Sequence, residues 1–291
     1  MPILHLALIL LLMIIWGFNF VVIDLGLKEV SPLLLVCTRF FLTSIPAVFF
    51  IKPPATSLKK MVLYGLMMLG LPFTLLFVGM DVGMTAGLAS LLFQLQVFFT
   101  VLFAMTIFKE KLRLWQVVGA TIAFLGIILV ATNLKGSASL LGFFLVIASA
   151  AAWGGGNIVS KSIGRVNMVS LVTWGSLFAW PPLLLLTLIV DGPDKMLYTF
   201  EHLTWISGGA ILYITYLSTL LGFVIWSWLV HHHPLATIAP FTLLVPVIGL
   251  LSSAWVLCEP LESWKLLAAF LVIAGLCINV FGPKIQSLIK K

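Results

Sequence analysis

A few polar side chains interrupt long apolar stretches of this chain: Asn19, Arg39, Gln94 and Asn157. In hydrocarbon such groups are costly unless partnered, so each is a candidate for function. Their chemistry is recognition, not bond-making. An amide offers an acceptor and two donors, and a guanidinium offers a planar fork that suits a carboxylate. Asn19 and Asn157 could hydrogen-bond a substrate amine or carboxylate, or could tie one helix to another. Gln94 shares a helix face with Gly87 and Ser90, at i, i+3 and i+7, which suggests a lined cavity; Gln96 should point nearly opposite. Arg39 could meet a substrate carboxylate, snorkel to the headgroups, or pair with Asp24 or Glu29. Trp16, Trp153, Tyr213 and Tyr216 complete the candidate substrate-binding set as aromatic groups, while most of the other tryptophans should belong to interfacial belts.

Other chemistries lack their parts. An enzyme needs a nucleophile with its base, or a metal set. No helix pairs His with Asp or Glu at i, i+4, and no acid sits deep in an apolar run. His231, His232 and His233 precede Pro234 and read as a solvated turn, not a metal site. Cys37, Cys258 and Cys277 are far apart and read as small packing residues. Neither a nucleotide-binding loop nor a channel filter motif shows. The expectation is a protein that is not an enzyme, with no metal and no cofactor.

The elements that position these groups are membrane spans. Of 291 residues, 62% are hydrophobic and 9% are charged, with a mean hydropathy of +1.22. A soluble domain carries about 25% charged residues. The net charge of +7 is therefore no nucleic-acid footprint; the partner is the lipid bilayer. Apolar runs of about 20 residues predict ten spans, at roughly 4–23, 33–51, 61–79, 85–108, 114–132, 140–160, 169–190, 204–227, 235–257 and 265–282. The first run lacks a basic leader and a cleavage site and is expected to be a retained span. With the N-terminus inside, the inner segments hold Lys52, Lys59, Lys60, Lys109, Lys111, Arg113, Lys161, Arg165, Lys284, Lys290 and Lys291. That basic excess puts both termini in the cytoplasm.

The spans form a repeat. Glu110 to Gly126 recurs 149 residues later as Glu259 to Gly275, so that Glu110, Leu112, Trp115, Ala120 and Gly126 meet Glu259, Leu261, Trp264, Ala269 and Gly275. Trp16 to Phe20 (WGFNF) and Trp153 to Asn157 (WGGGN) likewise open the two halves. Residues 1–134 and 139–284 are thus expected to be the repeats. Five spans per half is an odd number, so the second half must be inverted. The fold class is all-α integral membrane, with ten transmembrane helices as two inverted five-helix repeats and a substrate site near the midplane. Pro240 and Pro246 fall in span nine where span four has Leu91 and Val97, so the two spans should differ in stiffness. Gly154, Gly155 and Gly156 could bend span six or let it pack closely.

The stretches IWGFNFVVI near the start, TRF at Thr38 to Phe40, AGLASLLFQLQ from Ala86, the paired ExLxxW segments and APFTLLVPVIG from Ala239 resemble the drug/metabolite transporter superfamily, in its EamA-domain branch. Within that branch the chain most resembles the bacterial exporters of cysteine and O-acetylserine. The resemblance implies a secondary transporter that exports small amino-acid metabolites across the bacterial inner membrane by alternating access. An exporter of another class (aromatic or other amino acids, or drugs) and a channel are the alternative readings. All nine acids fall at span ends or in loops. Transport driven by the substrate's own gradient is therefore expected, with proton coupling through an end-of-helix acid such as Asp24 as the fallback, and the oligomeric state stays open.

Overall fold

The computed structural model describes residues 1–111, 113–134 and 138–289. Leu112, Lys290 and Lys291, which entered the repeat and charge arguments, lie outside the described residues, as does the side chain of Lys284. Among the described residues the chain is helical, with no strand. Among these residues ten helices are long and apolar enough to cross a membrane: α1 (Ile3–Leu27), α2 (Pro32–Phe49), α3 (Leu58–Asp81), α4 (Ala86–Phe108), α5 (Leu114–Thr132), α6 (Leu140–Ile163), α7 (Met168–Val190), α8 (Trp205–His232), α9 (Ala239–Val256) and α10 (Ser263–Gly282). A short helix, Gly192–Glu201, links α7 to α8. The starts are written locally. Ser31, Ser57, Ser139, Asn167 and Thr204 each cap a helix by accepting backbone N–H groups of its first turn, which replaces bonds the helix cannot make for itself.

The packing carries the two-fold relation of the halves. Helix α1 packs against α8 and α9, and its counterpart α6 packs against α3 and α4. The pairs α2 with α7, α4 with α9 and α5 with α10 join each helix to its own equivalent. At the α5–α10 contact, a Cβ on Gly119 would run into the Gly275 carbonyl, and one on Gly126 would stand 2.9 Å from the Ala268 carbonyl. At the 149 offset these two contacts are the same contact seen twice, because Gly119 corresponds to Ala268 and Gly126 to Gly275. Small residues let the backbones approach where lipid provides no hydrophobic drive for association.

Backbone irregularities repeat as well. Helix α3 opens into a π-helical stretch at Gly65–Gly70, and α8 does so at Tyr213–Leu221. Helix α4 tightens into a 3₁₀ turn at Phe93–Leu95, and α9 begins with one at Ala239–Leu243. Spans four and nine are thus both interrupted, although only α9 carries prolines there. The three glycines of α6 serve close packing. A Cβ on Gly154 would lie 2.8 Å from the Phe99 side chain, and one on Gly156 would lie 2.6 Å from the Met68 backbone.

The outside of the bundle is apolar, with Phe124, Ile128, Leu251, Trp255, Leu266 and Phe270 exposed. Such a surface suits lipid and not water. The chain is a multi-pass membrane protein. At the end of the bundle that bears the α9–α10 loop, Ser31 donates to Asp191 at 2.6 Å and Thr204 donates to Glu29 at 2.7 Å. Hydrogen bonds from Ser207 and Thr204 hold the Glu29 carboxyl below its ordinary value.

Candidate functional site

Where the irregular segments of α3, α4, α8 and α9 face one another, the helices leave a cavity of about 300 Å³. That lies at the low end of the range for small-molecule sites. Residues of both halves line it. Trp16, Asn19 and Phe20 come from α1, Arg39 from α2, Phe73 from α3, and Phe93, Gln94 and Gln96 from α4. The second half adds Trp153 and Asn157 from α6, Ser218, Phe223 and Trp226 from α8, and Thr242 from α9. The structure thus brings together six of the eight residues singled out by sequence: Trp16, Asn19, Arg39, Gln94, Trp153 and Asn157.

Arg39 is 2% exposed. Its Nε donates to Thr219 Oγ1 at 2.9 Å, and its guanidinium carbon lies 3.9 Å from the centre of the Phe73 ring. Its Nη1 has no partner, and no ion pair involves it among the described residues. Snorkelling is ruled out by the burial. Asp24 pairs with Lys28, and Glu29 with Thr204. A buried guanidinium with a free donor and no counter-charge is costly unless something supplies the missing acceptor. Asn19, 6% exposed, is the complementary case: its Oδ1 is an acceptor with no partner.

Two other polar lining groups hold each other. Asn157 donates to Gln96 Oε1 at 3.1 Å and to Thr100 Oγ1 at 2.9 Å, tying α6 to α4. Gln96 does not point away from Gln94, as a regular helix would require; both reach the cavity. The 3₁₀ turn at Phe93–Leu95 advances each residue by a larger angle than an α-turn, which brings positions two apart closer in direction. The walls are aromatic. Trp16 donates from its indole to the Ser218 carbonyl at 3.1 Å and lies 5.6 Å from Trp226. Trp153 meets Phe73 and Phe93 edge-on, at 5.4 and 5.3 Å.

Two expected residues lie outside the lining. Tyr213 turns toward α1, where its hydroxyl donates to the Ile15 carbonyl at 3.0 Å and its ring meets Phe18. Tyr216 is exposed on the outer face of α8. The π-helical stretch alters the rotation along that helix, so Ser218 reaches the cavity instead, and the neighbouring Thr219 holds Arg39. The signal for these two was the polar spacing Thr215, Ser218 and Thr219 at i, i+3 and i+4. Phe73 and Phe93 gave none, in a chain with 22 phenylalanines. At the histidine turn His231 and His232 are exposed, as expected of a solvated segment; in addition His233 lies 2.7 Å from His5, which comes from the first turn of α1, and His232 stacks on Trp228. Among the described residues, no three His, Cys, Asp or Glu side chains form a metal-binding group.

Comparison with known proteins adds a third kind of observation. A model of the EamA-like transporter family matches residues 3–132 and again residues 140–281. The chain is 40% identical over 286 residues to a "probable amino-acid metabolite efflux pump" of Salmonella typhimurium, covering 95% of each chain. It is 37% identical over 290 residues to a protein of the same description from Escherichia coli K12, covering 98% of this chain and 97% of that one. One solved crystal structure aligns with a TM-score of 0.59 at 18% identity, over 96% of this chain and 97% of that one, a likeness of fold alone.

Proposed function

The chain belongs to the EamA-like transporter family, and from that premise we propose that it is a secondary carrier exporting small amino-acid metabolites of the cysteine and O-acetylserine kind by alternating access. The observation that carries the reading is the pair of unsatisfied groups in the central cavity. Arg39 Nη1 is a charged donor without an acceptor, and Asn19 Oδ1 is an acceptor without a donor. A zwitterion supplies both missing partners, a carboxylate for the guanidinium and an ammonium for the amide oxygen. The small volume suits a short side chain. The descriptions of the two bacterial relatives point to the same class.

The membrane is taken to be the bacterial inner membrane, with both termini in the cytoplasm, on the basic residues at the inner ends. The two family matches support the division into repeats of residues 1–134 and 139–284. Among the described residues the cavity lining holds no carboxylate, which supports movement down the substrate's own gradient. The aromatic walls favour one second reading, an amino acid with an aromatic or apolar side chain.

Competition in proteoliposomes tests the class. Unlabelled cysteine and O-acetylserine are expected to compete with labelled O-acetylserine, whereas cysteamine, which lacks the carboxylate, is not. Substituting Arg39→Ala should weaken cysteine competition about tenfold to a hundredfold, the effect of losing hydrogen bonds to a charged group. Equal competition by cysteine and cysteamine in the parental protein would refute the zwitterion. Stronger competition by phenylalanine or tryptophan would favour the second reading.

A further inference from the structure

The two copies of the repeated glutamate sit in different circumstances. Glu259 accepts the Ala86 N–H at 2.8 Å on one carboxylate oxygen and the Gly87 N–H at 3.2 Å on the other. It thereby fastens the α9–α10 loop to the first turn of α4. The repeat equivalents of Ala86 and Gly87, 149 residues on, are Leu235 and Ala236, in the single turn Leu235–Ile238 that leads into α9. Glu110, the equivalent of Glu259, pairs instead with Lys161, and these side chains are 51% and 53% exposed.

Packing differs in the same sense. Ala86 to Leu92 are buried at every position. Among their equivalents, Thr237 is exposed, and Ala239, Pro240 and Phe241 are only half-buried. The cavity follows this asymmetry. Toward the Glu110 end its lining reaches Ser160, near the end of α6, and Met168, the first residue of α7. Toward the Glu259 end the lining residues Phe20, Arg39 and Leu76 lie well inside their helices. From the reach of the lining and the burial of Ala86 to Leu92, the bundle is read as closed at the Glu259 end and open at the Glu110 end.

Inverted repeats can exchange conformations, each half adopting the arrangement of the other. We infer that Glu259 and Glu110 are alternating latches of the transport cycle, an assignment that rests on the carrier reading above. In the opposite state Glu110 leaves Lys161 and accepts the N–H groups of Leu235 and Ala236, while Glu259 releases Ala86 and Gly87. A carboxylate on the free N–H groups of a helix start makes charge-assisted bonds, so the exchange trades one such set for another.

The closed end depends on glycines. At the closed end a Cβ on Gly87 would stand 2.6 Å from Ser253 Oγ, and one on Gly249 would run into Ser90. The equivalents at the open end are Ala236 and Ala239 for Gly87 and Ser90, and Thr100 and Ala104 for Gly249 and Ser253. Thr100 carries a Cβ where Gly249 has none, so the open end would close less tightly than the Glu259 end.

Paired reporters at equivalent positions test the latches in the full-length protein with Cys37, Cys258 and Cys277 replaced by serine. Leu88→Cys reports on the closed end and its equivalent Thr237→Cys on the open end, each by its rate of reaction with a water-soluble maleimide. Without substrate, Glu259→Ala should raise labelling at position 88 about tenfold and lower it at position 237, as expected for losing charge-assisted hydrogen bonds in one of two states. Glu110→Ala should shift both rates the other way, and Lys161→Ala should not reproduce the effect of Glu110→Ala, because only the latter removes a latch. Unchanged labelling at position 88 in Glu259→Ala, or movement of both reporters in the same direction in the two glutamate variants, would overturn the assignment. Because no substrate is present, a carrier that still exchanges its substrate while the reporters stay unmoved would lose the latches and keep its function.

Discussion

Asn157 and Asn19 carry the same amide into the same cavity and should fail differently when it is removed. Asn157 has protein partners on α4, Gln96 and Thr100, so Asn157→Ala breaks an interhelical tie. Such bonds are worth about 0.6 kcal/mol in membrane proteins, with a maximum of about 1.7. Asn19 Oδ1 has no protein partner, so Asn19→Ala breaks no bond to that oxygen and, on the proposed reading, removes a substrate contact. The expected outcome is a lower melting temperature in detergent for Asn157→Ala. For Asn19→Ala it is an unchanged melting temperature with an apparent affinity weakened about tenfold. Melting curves read beside transport kinetics check both; a destabilised Asn19→Ala variant that keeps the parental affinity would assign that amide to packing. Sequence reasoning found these residues because a polar group in an apolar run is conspicuous. It could not rank them, since partners such as Thr100 and Thr219 lie far along the chain. Nor could it place Tyr213 and Tyr216, whose direction depends on a local change of helical pitch.

At the scale of the helices, what sequence conveys well is where a span starts. Capping residues such as Ser31, Ser57 and Ser139 stand just ahead of apolar runs and are found capping. What it conveys poorly is pitch. Pro240 marks the interruption of α9, but the matching interruption of α4 at Phe93–Leu95 contains no proline and leaves no such mark in the sequence. The run Gly154 to Gly156 shows the same limit. Neighbouring glycines look alike in sequence but face different surroundings. A Cβ on Gly156 would press on the Met68 backbone at 2.6 Å, whereas one on Gly155 would meet only the flexible end of Met67 at 3.5 Å. Gly156→Ala is therefore expected to cost about 1–3 kcal/mol through overpacking between α6 and α3. Gly155→Ala should fall within about 0.5 kcal/mol of the parent, or gain slightly from better helix propensity. Thermal unfolding of the two variants in the same detergent decides; equal effects would mean that α6 does not approach α3 as closely as the glycines imply.

For the whole molecule, the repeat was legible because glutamate and tryptophan are scarce in so apolar a chain, and their recurrence at one offset leaves a mark that leucine cannot. The odd number of spans per half then fixes inversion, and inversion places the cavity where the halves meet. The substrate is less legible. On the proposed reading Arg39 and Asn19 take the ends of a zwitterion, while the aromatic walls leave the side chain open. The asymmetry between the Glu259 and Glu110 ends came only from the structure, because the two copies of the motif are equivalent on paper. The central claim is that the protein is a carrier which exposes one central site to one side at a time. Counterflow tests it most directly. Purified protein in liposomes is given labelled O-acetylserine outside, with or without unlabelled O-acetylserine inside. An alternating-access carrier returns faster when loaded, so entry of label should accelerate when unlabelled substrate is present inside, and label should transiently exceed its equilibrium level. Entry that ignores the far-side substrate would contradict the account and favour a channel.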